Sequence, residues 1–324
     1  MKKVAYVFIF LIVIVLAYYA YSVGSAYNNI TVKNNAKPQD VGDIFESGKI
    51  QREIIPYQEL EIPAKEADRL DVLILGTRGE NDPEHGGLLT DSILLLSLDK
   101  KTGKTSMVSI PRDIYVNISG VTGKVNEIYP RGLSKGGAFK FTKETFSRLT
   151  GVYIDNLVVF DFDAFGQIVD AVDGITVNLK QPFIESKQWG YEFSLPAGEN
   201  NLNHEQALYY ARSRFSSNDF DRARRQQEIV LAIKEKALSL GFLTNPTKVT
   251  ALLSALGDNV KIDISLTEIP TFIKLAQTFN SSAPKRTVLS TENVLYQTTE
   301  NGLYILLPQL NDYKEIQKSI KNSL

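Results

Sequence analysis

Cysteine is absent from this 324-residue chain, and histidine occurs only twice, at His85 and His204. The first absence removes thiol nucleophiles, disulfides and cysteine-ligated zinc or iron–sulfur sites. The second leaves little imidazole for metal ligation or general-base work, so acid–base chemistry falls to carboxylates. Net charge is nearly missing too, with 36 Lys and Arg against 37 Asp and Glu, a formal −1. Such a balance gives no global basic field of the kind that binds nucleic acid, and any anion site must be local. No internal repeat or low-complexity tract stands out. At 43% hydrophobic residues the chain has material for a substantial core, in one large domain or two small ones.

What the sequence does hold is a long uncharged run near its start and a dense arginine stretch further on. After Lys2 and Lys3, residues 4–23 are uncharged and rich in Val, Ile, Leu and Phe. At about 1.5 Å per residue, roughly twenty such residues cross a bilayer core of about 30 Å. The two lysines predict an N-terminus in the cytoplasm and the remaining chain outside it. The small residues Gly24, Ser25 and Ala26 leave a cleaved signal peptide as the alternative. The run is longer than a usual signal core, which favours a retained single-pass anchor. Either reading puts the rest of the chain outside the cytoplasm. We therefore expect a cytoplasmic tip and transmembrane anchor over 1–26, a polar stalk over 27–69 and a globular domain over 70–324.

The arginine stretch, 209–227, holds Arg212, Arg214, Arg222, Arg224 and Arg225 with Asp219 and Asp221 between them. The planar guanidinium fork suits phosphate oxygens, so several arginines around a turn suggest an oxyanion clamp. A helix opening there would add free N–H groups and the positive end of its dipole. The bland alternative is a solvated, salt-bridged helix face. Helical spacing over 221–240 puts Arg222 on the same stripe as Gln226, Ile229, Ile233, Ala237 and Leu240, facing the core, which favours the clamp.

Short apolar runs at 71–76, 92–98 and 105–110 read as strands, the last two joined by a hairpin around Gly103. Pairing Leu98 near Lys104 places Asp91 opposite Pro111 and next to Arg112, so a carboxylate and a guanidinium share one sheet edge. An ordinary cross-strand ion pair is the alternative. A polar loop over 77–90 carries Arg78, Glu80, Asp82, Glu84 and His85. A second loop over 117–137 carries Lys124 and Asn126, and a helix is expected to begin near Thr142 and stop at Gly151. Strands at 156–160 and 175–179 flank a helix over 163–171, and Asn203 is a plausible cap for a short helix through Ala207. Helices over 248–256 and 269–279, strand-like runs at 287–289 and 303–307 and a final helix over 312–323 complete the domain. The alternation predicts an α/β, three-layer α-β-α domain around a central mixed sheet.

Several strings, in order, resemble one known family. They are Leu-Thr-Asp-Ser at 89–92, Ser-Ile-Pro-Arg-Asp at 109–113, Gly-Lys-Val-Asn at 123–126 and Val-Asp-Gly-Ile at 172–175. Glu-Gln-Ala-Leu at 205–208, Tyr-Ala-Arg-Ser-Arg at 210–214 and Asp-Phe-Asp-Arg-Ala-Arg-Arg-Gln-Gln at 219–227 follow. Together they resemble the LytR-CpsA-Psr cell-wall glycopolymer ligases, with a motif core over 71–240 and a C-terminal completion over 241–324. The resemblance implies transfer of a phosphate-linked glycopolymer, such as teichoic acid or capsular polysaccharide, from a polyprenyl-pyrophosphate carrier to peptidoglycan. It also implies a hydrophobic cleft for the lipid and Mg²⁺ (or Mn²⁺) at the pyrophosphate.

On that resemblance the expected catalytic residues are Arg112, Asp219 and Arg222. By motif Arg112, Arg214 and Arg222 hold the phosphates and Asp91 binds metal; beyond the motif, Arg78, Lys124, Arg212 and Arg225 are further expected pyrophosphate ligands and Asp82 a further expected metal ligand. One departure matters: many members carry an Asp soon after the first-strand glycine, where this chain has Gly76-Thr77-Arg78-Gly79. Glu80 or Asp82 is then left to supply the second carboxylate. Phosphoryl transfer relies on positioning and on neutralising oxyanion charge, so a chain without cysteine and almost without histidine can run it.

An aromatic-rich middle segment, Phe139, Phe141, Phe146, Tyr153, Phe160, Phe162 and Phe165, either lines a lipid groove or packs a core. Three competing functions stay open. A non-catalytic binder would hold lipid-linked polymer without transfer, and a hydrolase would release it to water. An esterase would use Ser134, in a Gly-x-Ser-x-Gly string at 132–136, with His204 as its base.

Overall fold

Runs with alternate side chains aimed to opposite faces make the centre of this fold. The computed structural model describes residues 24–25, 27–32, 37–42, 44–45, 56–82, 86–241, 248, 251–252, 255–265, 268 and 283–324. The apolar run at 4–23, His85, residues 249–250 and 253–254 of the helix expected over 248–256, and all of the helix expected over 269–279 lie outside the described residues. Among the described residues no helix is long and apolar enough to cross a membrane.

The strands are β1 (Arg69–Gly76), β2 (Ser92–Asp99), β3 (Thr105–Ser109), β4 (Tyr115–Ile118), β5 (Val121–Lys124) and β6 (Asn156–Phe160). Then come β7 (Ile175–Leu179), β8 (Phe183–Glu185), β9 (Phe193–Leu195) and β10 (Gly198–Leu202). β11 (Val260–Ile262), β12 (Lys285–Val288), β13 (Leu295–Glu300) and β14 (Leu303–Pro308) follow. Among the described residues, the helices whose bounds are set are α1 (Ile128–Ser134), α2 (Ala138–Thr150), α3 (Phe162–Ala171), α4 (His204–Arg212), α5 (Asp219–Ser239) and α6 (Tyr313–Ser323). Six strands form the central sheet in the order β11-β6-β1-β2-β3-β12. It is mixed, because β6 runs parallel to β1 and β12 to β3 while β1-β2, β2-β3 and β11-β6 are antiparallel.

Strand periodicity divides the sheet between two jobs. Leu73 and Leu75 of β1, Ile93 and Leu95 of β2, and Leu157 and Val159 of β6 enter one large core with α2 and α6. The alternate residues Ile74 and Val158, paired across β1 and β6, face a cavity beneath α3, α4 and α5. A second core of Phe165, Val169, Ala207, Tyr210, Ile229 and Ala232 knits those three helices to β7. Helices thus cover both faces of the sheet, as expected for a layered α/β domain.

Local signals stop and start the helices. Gly151 caps α2 in the left-handed region at φ 69°, where its missing Cβ removes the steric cost. Asn203 and Gln206 form a reciprocal capping box at α4, and the Asn218 side chain accepts from Asp221 N to open α5.

Five expectations need correction. The β2-β3 register pairs Leu98 with Thr105, one residue from the expected pairing. The Asp99 side chain accepts from Lys101 and Thr102 N–H, and Gly103 takes φ 69°, so the turn closes between Asp99 and Lys104. The loop expected over 117–137 is instead the β4-β5 hairpin, a 3-10 turn and α1. Polar residues disguised it, among them Lys124, Asn126 and Glu127, all of which are buried. Helix α2 starts at Ala138, ahead of Thr142, and α5 starts at Asp219, ahead of Asp221. The 27–69 segment, expected to stand as a stalk, is tied to the domain where it is described. Ile30 and Leu60 are 1% and 5% exposed, and Thr31 and Gln58 bridge to Ile262 and Ile118.

Candidate active site

The one-residue register correction strengthens the site. Asp91 directly precedes β2 and Arg112 follows β3 by three residues, so the two-strand hairpin brings their side chains into a direct ion pair through Oδ1 and Nη1. Arg78, just beyond β1, approaches the other Asp91 oxygen, Nε to Oδ2 at 3.5 Å, and pairs with Asp82 at 3.4 Å. Arg222, in the first turn of α5, donates to the Asp91 carbonyl at 3.3 Å. Its Nη1 stands 3.2 Å from Asp219, which Arg214 also approaches at 3.4 Å and Arg112 at 3.7 Å. Residues from four separate parts of the sequence therefore form one ionic cluster at the ends of β1, β2 and β3.

Burial sets the electrostatics. It works against the Asp91 charge, but Arg112, Arg222 and Arg78 together outweigh it and hold the carboxyl below the usual carboxylate range. For Arg112, burial again opposes the charge, and the pull of Asp91, Asp113 and Asp219 overcomes it, raising the guanidinium above its ordinary value. Arg222 is only 7% exposed, and burial, helped by Arg112, pulls it down to about 10 despite Asp219. All three remain charged at neutral pH. The buried Arg112 Nε has no hydrogen-bond partner, its nearest carboxylates, Asp113 and Asp219, lying 3.6 and 3.7 Å away. A buried charged donor without an acceptor is costly, and an oxyanion entering the cluster would satisfy it.

The remaining expected residues divide. Arg212 lines the same cavity as Arg78, Arg112, Arg214 and Arg222, stacked over Phe162 and Trp189 at 4.4 and 5.2 Å. Lys124 sits one layer back, bonded at 2.8 Å to Asp113, which in turn flanks Arg112. Arg225 does not line the cavity. It is buried with Nε donating to Tyr210 O at 3.0 Å and Nη2 donating to Ser213 O, so it braces the turn between α4 and α5. Glu80 accepts from Gln39, which leaves Asp82 as the carboxylate beside Arg78. Asp113 is the functional neighbour missed among the expected site residues, although it closes the Ser-Ile-Pro-Arg-Asp string.

Two cavities share the cluster. The larger, about 490 Å³, runs from Arg78, Arg112, Arg212, Arg214 and Arg222 onto Ile74, Val158, Phe160, Phe165, Ile168 and Ile233. Gly76 also lines it, where an added Cβ would crowd the Ser92 side chain at 3.2 Å and the Phe160 ring at 3.3 Å. Of the aromatic segment, Phe160, Phe162 and Phe165 line this groove, whereas Phe139 and Phe146 pack the opposite core. A cationic mouth on an apolar trough is the complement of an amphiphile with an anionic head. The smaller cavity, about 270 Å³, shares Asp91, Arg112, Arg222 and Gln226 and adds Asp113, Asp219, Gln297 and Tyr304.

An esterase arrangement is not formed. Ser134 lies in α1 with Oγ donating to Arg131 O, while His204, on α4, shares a 2.8 Å hydrogen bond with Asp170.

The LytR_cpsA_psr family model matches residues 18–322. The chain belongs to that family. It is 30% identical over 277 residues to the polyisoprenyl-teichoic acid–peptidoglycan teichoic acid transferase TagU of Oceanobacillus iheyensis, covering 84% of this chain and 82% of the relative. It is 31% identical over 245 residues to the corresponding transferase TagV of Bacillus subtilis, covering 72% of this chain and 60% of that one. The crystal structure of B. subtilis TagV superposes with a TM-score of 0.60 at 25% identity, over 80% of this chain and 98% of the other.

Proposed function

We propose that this LytR_cpsA_psr member is an extracytoplasmic, membrane-anchored phosphotransferase. Its reaction moves a phosphate-linked glycopolymer from a polyprenyl-pyrophosphate carrier to peptidoglycan. The observation that carries the reading is the junction of the arginine cluster with the apolar groove, which matches a diphosphate bonded to a long hydrocarbon. The names of the TagU and TagV relatives support the same donor and acceptor classes.

In this reading Arg78, Arg112, Arg214 and Arg222 hold the diphosphate oxygens, with Arg212 at the groove side of the mouth. The acceptor hydroxyl oxygen forms a bond to the phosphorus that carries the glycan. The bridging P–O bond to the lipid-side phosphate breaks, and polyprenyl phosphate leaves with the bonding electrons. The hydroxyl proton passes to Asp219, the more exposed of the two carboxylates confined to the smaller cavity, at 29% against 12% for Asp113. Positioned guanidinium groups neutralise the spreading oxyanion charge, which is the main requirement of phosphoryl transfer.

The donor set also bears on a metal. Among the described residues no group of three or more His, Asp or Glu forms a ready cation site. Asp91, held ionised, and Asp82, its neighbour on Arg78, fit a hard cation that takes one or two carboxylates and completes its shell with phosphate oxygens and water. Mg²⁺, or Mn²⁺, held there would supply further neutralisation of the diphosphate charge.

The test is reconstitution. The full-length protein in detergent, given a polyprenyl-pyrophosphate-linked glycan, a peptidoglycan oligomer and Mg²⁺, is expected to produce phosphodiester-linked product. Donor binding without product would assign it as a binder, and release of glycan phosphate without acceptor, at the same rate, would assign a hydrolase.

A further inference from the structure

The smaller cavity has a use that follows from the direction of the chemistry. In-line displacement at phosphorus needs the attacking and leaving oxygens on opposite sides. With the lipid in the groove, the leaving phosphate departs on the β6-β1 side of the cluster. The strand order β6-β1-β2-β3 puts Asp91 and Arg112, at the β2 and β3 ends, between that groove and the smaller cavity. A nucleophile must therefore arrive through the smaller cavity.

Its walls suit a sugar. The β13-β14 hairpin is fixed against the site by Leu306 N donating to Asp113 O at 2.9 Å and by the Ile114–Leu306 bridge. This brings Gln297 and Tyr304 into the lining of the same cavity as Asp219 and Phe220 at the start of α5. Tyr304 is 41% exposed, a large aromatic surface on a hairpin, and its hydroxyl donates to Gln297 Oε1 at 3.3 Å. Burial, with the Asp113 and Asp219 carboxylates nearby, keeps that phenol protonated above its ordinary range. An aromatic face beside carboxamide and carboxylate groups is the usual complement of a pyranose, which offers apolar C–H surface and hydroxyls together.

We propose that this cavity is the acceptor subsite, with the Tyr304 ring and Gln297 binding the saccharide whose hydroxyl attacks. The proposal rests on the phosphotransferase reading above and adds the binding residues for its second substrate. The side chain stands at an exposed position, so Tyr304→Ala is expected to fold.

The experiment compares full-length wild type with Tyr304→Ala and Tyr304→Phe in the reconstituted transfer reaction. It also titrates the peptidoglycan oligomer alone into donor-free protein by calorimetry. Tyr304→Ala is expected to raise the acceptor KM and weaken oligomer binding by about tenfold, the scale of one lost aromatic contact. The donor KM and inorganic pyrophosphate binding are expected to stay at wild-type values, and Tyr304→Phe, which keeps the ring, to restore acceptor binding. An unchanged acceptor KM, or a raised donor KM in its place, would overturn the assignment. If the wild type transfers nothing yet oligomer binding still depends on Tyr304, the phosphotransferase reading fails while the saccharide subsite stands.

Discussion

At the scale of single residues the decisive feature is that charge is buried and only partly answered. Arg222 keeps its proton at neutral pH although burial has lowered it to about 10. Its replacement by Ala would leave Asp219 and Asp91 with fewer cations and remove a donor that the proposed function assigns to the diphosphate. We expect Arg222→Ala to lower kcat by roughly 10²–10³-fold, the usual effect of deleting one oxyanion donor, with the fold intact by circular dichroism. Undiminished turnover would contradict the clamp.

The Asp91 carboxyl gives a pH signature. Its folded pKa lies below the unfolded value, so the unfolded chain takes up a proton first as pH falls. Its contribution to stability is complete above about pH 4 and is lost as pH drops through the folded pKa. Tm measured from pH 7 downward is expected to fall below about pH 4, with a shallower fall in Asp91→Asn. Equal slopes in both proteins would refute the assignment.

At the scale of elements, what could be read in the sequence was period and punctuation. Short, nearly continuous apolar stretches at 71–76 and 156–160 marked buried strands, and Asn203 and Gly151 marked helix ends, because those signals act within a few residues. The β2-β3 register was missed by one position because it depends on Asp99 accepting from its own turn. The 117–137 region looked like a loop because Lys124 is buried through its bond to Asp113, a partner that composition does not reveal.

Strand alternation also makes a prediction about the groove. Val158 faces it while Leu157 and Val159 face the core, so a bulky residue at 158 fills the groove without disturbing the main packing. Val158→Trp is expected to raise the KM for a long-chain polyprenyl donor by about tenfold, leaving inorganic pyrophosphate binding unchanged. Equal loss for both ligands would place the lipid elsewhere.

At the scale of the whole molecule, the site exists only because distant segments converge. Asp91, Arg112, Arg214, Asp219 and Arg222 were legible because each lies in a short string of characteristic residues, whereas Arg78 lies outside those strings, in the polar loop after β1. Gln297 and Tyr304 were not, since the 241–324 region carries no such string. They reach the cavity because β14 docks beside Asp113. Arg225 shows the reverse: its position among arginines suggested a phosphate ligand, yet the turn between α4 and α5 uses up its donors.

The most direct measurement is a crystal structure of the protein with polyprenyl pyrophosphate bound. The account predicts diphosphate oxygens within hydrogen-bond distance of Arg78, Arg112, Arg214 and Arg222, and the first isoprene units against Ile74, Val158 and Phe160. A diphosphate bound away from Arg112 and Arg222, or a hydrocarbon chain outside the groove between the sheet and α5, would contradict it.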